Sequence, residues 1–570
     1  MLSSNKKSIT HTPIFRRHSV SIRLPELSYY LFFILMLGAK GLGLGEGSAL
    51  YSVILLISMF FWCVKMVLTS YTIYELLCST SLLLLTMVVY LRTGERGIVF
   101  CVAMLLGMKG ISLDKIFHIG ARLLSFCFIL MAFLNQTGLL NDLYYVHLKG
   151  SLGYVVRSSF GYAHPNVLHI TYLVLTSLVL YDTGLDLRKL LKRSFLLMLG
   201  NIYVVIYSLS YTGFLIVSFY IILNYILAFK SMRPSWHPKC HCLCSALMEC
   251  IFPFCVIFSV LGPVVFKGRL YSLADKLVHH RFVLSNYFLT TEPISLLGHR
   301  LLTTPDMNRS IDCSYTYLFV HLGVILFVLF CLFYFVVIHK CIQAKKVRCV
   351  AILISFSVAG VMEPFLFNTS FKNITFLILG YYWYQFLAVS KITGARRAET
   401  LSLNWNPSLG NKQLRLLYFS IQSNELTFPH KKATKRKKIF VVSLLAAALL
   451  PVFYVATTEP YTAVLIPTNF CQDGCDTAAR TYTESEISEL SSDTLVISFN
   501  GKSEEMYQYT GITPRLEYFR HILAYYVWAI FFIYCSLQLI IFMRPQKRNR
   551  SLQDYRNVLM NDTRSDDHVD

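Results

Sequence analysis

The chain has 570 residues, 55% of them hydrophobic and 15% charged, with a mean hydropathy of +0.53. That is too apolar for an ordinary soluble domain and marks an integral membrane protein. A formal charge of +22 would suggest nucleic acid in a soluble protein. In a multi-span chain, Lys and Arg chiefly mark the cytoplasmic side and its anionic lipids, so the bilayer is the expected partner and nucleic acid is not.

Residues 1–26 read as a basic cytoplasmic tail, and no small-residue cleavage site follows the first apolar run, so that run is expected to stay as a span. A span needs about 20 mainly apolar residues. Such windows fall at 27–45, 48–68, 74–91, 97–114, 116–135, 164–182, 194–211, 212–229, 247–266, 315–338, 349–366, 374–390, 439–457 and 520–543. The first is interrupted by Lys40 and a GLGLGEG run, and the seventh and eighth meet at SLSYTG almost without a loop. With both termini cytoplasmic, an even count keeps DLRKLLKR (186–193), HKCIQAKKVR (339–348) and KKATKRKK (431–438) inside. The expected fold class is an all-α polytopic membrane protein of about 14 transmembrane helices, with a large extracytoplasmic loop at 267–314 and a small extracytoplasmic α/β insert near the C-terminus. The domain plan is a membrane domain at 27–390 with about 12 spans, a basic cytoplasmic linker at 391–438, a two-span unit at 439–543, and a cytoplasmic tail at 544–570.

Within the two-span unit, 458–519 holds ten acidic and three basic residues, a helix-like ESEISEL and a strand-like DTLVISFNG. Its Cys471 and Cys475, in CQDGC, leave a disulfide and a plain loop both open. The other cysteines lie mostly in apolar runs, as Cys78, Cys101, Cys127 and Cys255 do, where a thiol acts as a small hydrophobe.

Four outer stretches carry candidate chemistry. In VVRSSFGYAHPN (155–166), Arg157 offers a planar fork of donors suited to phosphate oxygens, with His164, Pro165 and Asn166 at a helix entrance; a cap and an interfacial arginine are the plainer reading. The loop 267–314 holds Lys267, Arg269, Lys276, Arg281, Arg300 and Arg309 against Asp275, Glu292, Asp306 and Asp312, with His279, His280 and His299. Basic residues should be scarce on that side, so an anionic partner is expected, although an amphipathic surface helix would explain part of the pattern. IDCSYTYLFVHLG (311–323) supplies Asp312, as an orienting group or a base, with Tyr315 and Tyr317 in interface-belt positions. MEPFLFNTSFKN places Glu363 and Asn368 at the outer end of a span.

Other groups point to less. The C-x-C-x-C spacing of HPKCHCLC (237–244) is not a usual zinc framework, and Arg122, Glu249 and Glu75, within or near apolar runs, are functional by default, with pairing among themselves inside the bundle as the plainer reading. No nucleotide-phosphate loop appears and no cytoplasmic segment is large enough for a nucleotide-sugar transferase domain. Any chemistry should therefore use a donor already activated in the membrane.

RSSFGYAHPN, SLSYTGFL (208–215), the loop opening KGRLYSLA and ending PISLLG, IDCSYTYLFVHLG and EPFLFN, in that order, resemble the Wzy-type polysaccharide polymerases of bacterial capsule, exopolysaccharide and O-antigen synthesis, which are related to the O-antigen ligases. The resemblance covers about 27–390. It implies a GT-C-like helical bundle in the bacterial cytoplasmic membrane, with an extracytoplasmic active site that joins undecaprenyl-pyrophosphate-linked oligosaccharide repeat units. Arg157, Asn166, Arg269, Arg281, Tyr315 and Glu363 would bind substrate, and His164, Asp312 and His299 are the candidate catalytic groups. No cofactor or metal is expected, because arginines can supply a cation's charge. A flippase and a chain-length regulator are candidate protein partners. Where the family often has arginine in S-x-T-G, this chain has Tyr211. The rival readings are a ligase moving finished polymer, a flippase for lipid-linked sugars, and a structural membrane protein.

Overall fold

The computed structural model describes residues 15–45, 47–136, 139–140, 144–149, 153–232, 238–301, 311–364, 372–389, 413–421, 459–467, 477–483, 496–499, 502–508 and 513–542, with positions 441, 442, 445 and 449. ESEISEL, CQDGC, Asn368, the tail 544–570 and most of the window 439–457 lie outside them. The described residues form two compact units: Ile22–Leu414 with Tyr461–Pro514, and Met1–Ser21 with Arg415–Pro460 and Arg515–Asp570. Mostly within the smaller, β1 (Phe15–Arg23) pairs with β4 (Gln413–Ile421), and a long helix runs over Thr513–Phe542.

The larger unit begins with α1 (Leu24–Gly41), α2 (Ala49–Leu68), α3 (Ile73–Thr93), α4 (Gly97–Leu106) and α5 (Leu113–Gln136). A hairpin of β2 (Tyr144–Lys149) and β3 (Gly153–Ser158) leads to α6 (Pro165–Thr183), α7 (Leu187–Ser208), α8 (Tyr211–Ser231) and α9 (Pro238–Val260). After a short α10 (Gly262–Val265) come α11 (Gly268–Leu277) and α12 (Arg281–Thr291), then a turn α13 (Ser314–Thr316), α14 (Val324–Gln343), α15 (Val347–Met362) and α16 (Thr375–Val389). Among the described residues, α2, α3, α5, α7, α8, α14 and the helix at Thr513–Leu537 are long and apolar enough to cross a membrane. This is a mostly helical, membrane-embedded protein.

Local sequence sets the boundaries. Thr72 and Glu75 form a capping box at the start of α3, and Gly94, at φ 79°, closes its other end in the left-handed conformation. Asp186 caps α7 by accepting from the Arg188 and Lys189 amides.

Three stretches depart from the expected windows. The run 97–114 yields only ten helical residues because Gly107 lies against the Tyr29 ring, 2.2 Å from where a Cβ would sit, and Gly110 turns the chain at φ 71°. The run 315–338 breaks at Gly323 (φ 98°), after a π-helical turn over Tyr317–Leu322. There the Val324 and Ile325 amides donate to the Ser295 and Leu296 carbonyls and the His299 amide to His321, so the helix opens to pair with the loop that follows α12. Much of the outer loop is also ordered, as α11 and α12. Ala274, Val278 and Phe282 bury together against Phe258 and Phe266, while His279 and His280 turn the corner at φ 52° and 64°.

At one end of the larger unit, Tyr162 donates to the Gly41 carbonyl, Tyr317 donates to Glu95, and the hairpin approaches the α7–α8 turn. At the other, Lys109 pairs with Glu75, His118 with Asp182, Arg348 with Asp114 and His339 with Glu249. Each set joins segments that the alternation of windows assigns to one side. Glu75 and Glu249 thus pair with Lys109 and His339 rather than with each other or the exposed Arg122, because their partners lie near the same ends of neighbouring helices.

The strands at Tyr461–Pro467 (β5), Thr477–Thr483 (β6), Val496–Phe499 (β7) and Lys502–Gln508 (β8) join the hairpin in a six-stranded sheet, ordered β3-β2-β6-β5-β8-β7. β6 runs antiparallel to β2, with Tyr144 opposite Ala479, Tyr145 opposite Ala478 and Val146 opposite Thr477. The strand-like DTLVISFNG does contain a strand, β7.

Candidate functional site

The five resembling segments meet at one place. Arg157, at the end of β3, is 5% exposed; its Nε donates to the Ser208 carbonyl (2.8 Å) and its Nη2 to Asn166 Oδ1 (2.7 Å). Asn166 is held in turn, since its backbone N–H donates to His164 Nδ1 (3.1 Å), and this makes His164 the side-chain cap of α6. His164 therefore has a structural task as well as its place at the site.

Glu363, just beyond α15, is 5% exposed. Its Oε1 accepts from Thr212 at 3.3 Å and lies 3.5 Å from Arg281 Nη2, while its carbonyl accepts from Ser314 at 2.5 Å. Burial pushes its carboxyl up to about 7, and the like charge of Asp312 adds to this; Arg281, Thr212 and Arg157 pull the other way. Desolvation wins because the guanidinium stands off at 3.5 Å rather than in a close bidentate pair. Asp312, half-buried, belongs to the same electrostatic group.

Two buried donors at this cluster have no hydrogen-bond partner among the described residues: the Arg281 Nε–H and the Ser210 hydroxyl. A buried guanidinium N–H left unmade is costly, and a bound acceptor is one way to satisfy it. The backbone is also strained here. Of five described non-glycine residues with positive φ, Leu209 and His280 adjoin cluster residues, Phe160 and His279 lie within three residues of Arg157 and Arg281, and Lys345 is far from them in sequence.

Behind Arg157 lies a polar network that reading the sequence missed. Asn201 donates through Nδ2 to Phe214 O and Ser218 Oγ, so its Oδ1 accepts from His169 Nε2 at 2.9 Å; His169 Nδ1 then takes the Ser208 hydroxyl at 3.1 Å. Gly213 lets α8 approach, since a Cβ there would lie 2.6 Å from His169 Cβ. The available signal was polar residues, His169 and Asn201, within apolar helices. Tyr211 is 47% exposed at the start of α8, and the positive charge at that corner comes from Arg157 and Arg281.

Not every candidate residue joins the cluster. Tyr315 is fully buried, and its hydroxyl donates to Ser357 O (2.8 Å) beside Phe252, so it serves as packing. Arg269 is exposed on the second residue of α11. His299 pairs through Nε2 with Glu292 (2.9 Å), at the opposite end of α12 from Arg281. Eleven helical residues separate those ends by about 16 Å. Among the described residues, no group of three or more His, Cys, Asp or Glu is arranged to hold a metal.

Compared with protein-family models, curated proteins and solved structures, the chain matches none.

Proposed function

We propose that this protein is a membrane glycosyltransferase that joins undecaprenyl-pyrophosphate-linked oligosaccharide repeat units at the outer face of the bacterial cytoplasmic membrane. The observation that carries this reading is buried Arg157 and part-buried Arg281 around Glu363, with a buried Arg281 N–H still to be satisfied. Two guanidinium groups in poorly solvated surroundings suit the two phosphates of a polyprenyl pyrophosphate, and they gain most as negative charge grows on that leaving group. A hydroxyl of the acceptor unit attacks the anomeric carbon, the C–O bond to the pyrophosphate breaks, and the hydroxyl proton passes to a base. Glu363, raised toward neutrality inside the cluster, and Asp312 beside it are the groups placed to take it. Fourteen spans, cytoplasmic termini and an outward-facing site belong to the same proposal.

The test is reconstitution with a lipid-linked repeat unit. Wild-type protein extends chains, whereas Arg157→Ala and Arg281→Ala remain in the membrane and leave single units. Long polymer from both variants refutes the assignment. Long lipid-linked chains that fail only to reach a different acceptor point to a ligase instead.

A further inference from the structure

Resting on that reading of the Arg157 site, we infer that Tyr145 is a positioning residue through which the C-terminal insert sets Arg157 and His164. Four contacts close a ring. Tyr145 on β2 is the register partner of Arg157 on β3. Arg157 donates to the Asn166 side chain, and the Asn166 amide donates to His164. The His164 ring meets the Tyr145 ring edge-on at 4.9 Å, and the Tyr145 hydroxyl donates to the Ala163 carbonyl at 2.5 Å. One residue thus pairs with the strand that carries the arginine and, through its phenol, touches the cap that orients the arginine's amide partner.

The outer side of this ring is held from far along the chain. Ala478 of β6 stands opposite Tyr145, Thr477 stands opposite the fully buried Val146, and the Tyr144 ring meets Tyr461 of β5 edge-on at 5.9 Å. A free two-stranded hairpin is marginally stable by itself. Pairing with β6 makes β2 an interior strand and leaves β3, with Arg157 at its end, as the sheet's edge facing the α7–α8 turn. The insert is therefore part of the anion site's frame.

The experiment uses the full chain in membranes treated with phenylglyoxal, with modification at Arg157 read by mass spectrometry with and without inorganic pyrophosphate. Wild-type Arg157 reacts slowly, and more slowly with pyrophosphate. Tyr145→Ala, and separately Thr477→Pro with Ala478→Pro, which between them remove the backbone donor that β6 turns toward β2 at this register, raise modification by about tenfold and abolish the protection. Tyr145→Phe keeps the ring against His164 and falls between. The exposed Arg188 is the control, unchanged where the bundle is intact; if the proline variant fails it, the Tyr145 pair decides. Wild-type labelling in Tyr145→Ala overturns the proposal. Protein that labels as expected but never extends a lipid-linked unit overturns the polymerase reading alone.

Discussion

At the scale of single residues, the site joins two guanidinium groups to a carboxyl whose charge is conditional. Glu363 is raised to about 7, so its contribution to folding is fully present below the ordinary carboxylate range and is lost as pH rises through about 7. The same titration adds a negative charge beside Arg157 and Arg281. Protection of Arg157 by inorganic pyrophosphate should therefore weaken between about pH 6 and about pH 8, and Glu363→Gln should flatten that dependence; a flat profile in the wild type contradicts it. Arg281→Lys should bind as poorly as Arg281→Ala, because an ammonium cannot reproduce the planar fork; pyrophosphate protection of Arg157 in the two variants compares them. Gly213→Ala drives a methyl group into His169 and should lower stability by about 1–3 kcal/mol, seen as a lower unfolding temperature in detergent. Arg157 and Arg281 were legible in the sequence because basic residues stand out in segments that the charge rule assigns outside, and Glu363 because a carboxylate ends an apolar run. The difference between Arg281 and Arg269 was not, since both lie in one basic loop and only the α11–α12 corner buries one of them.

At the scale of elements, that corner is the piece to perturb. Asp275, 6% exposed, accepts from the Val283 amide (3.2 Å) and pairs with His280 (2.8 Å), fixing the angle at which α12 presents Arg281. Asp275→Ala leaves the Val283 amide without its acceptor and should cost about 1–3 kcal/mol. Faster amide exchange over 278–285, with the rest of α12 unchanged, is the expected readout. Helix positions were largely readable from runs of apolar residues. Their interruptions were not, because Gly107 and Gly323 break helices through neighbours distant in sequence, the Tyr29 ring and the Gly298 backbone. His299 shows the same limit: its sequence neighbourhood suggested the anion site, but α12 intervenes as a rigid spacer.

At the scale of the whole molecule, charge bias placed 136–163, 267–314, 363–373 and 458–519 on one side, and contacts tie the described parts of the first three around one cluster and the fourth to the hairpin. Single cysteines introduced at Tyr461 and at Lys267 should both react with a membrane-impermeant maleimide from outside intact cells, and one at Lys345 should not. Opposite labelling of Tyr461 and Lys267 would break this arrangement. What no local pattern revealed is that the acidic insert completes a sheet begun between α5 and α6, since strand pairing over such a separation leaves no periodic trace. That pairing has a consequence for biosynthesis. A chain enters the membrane from its N-terminus onward, so β2 waits with an open edge while helix after helix is inserted, until β6 has been made. The arginine site is then among the last features to be finished, and a nascent or truncated chain ending before Thr477 would sit in the bilayer with the Arg157 hairpin unframed, unable to bind the lipid-linked substrate proposed for it.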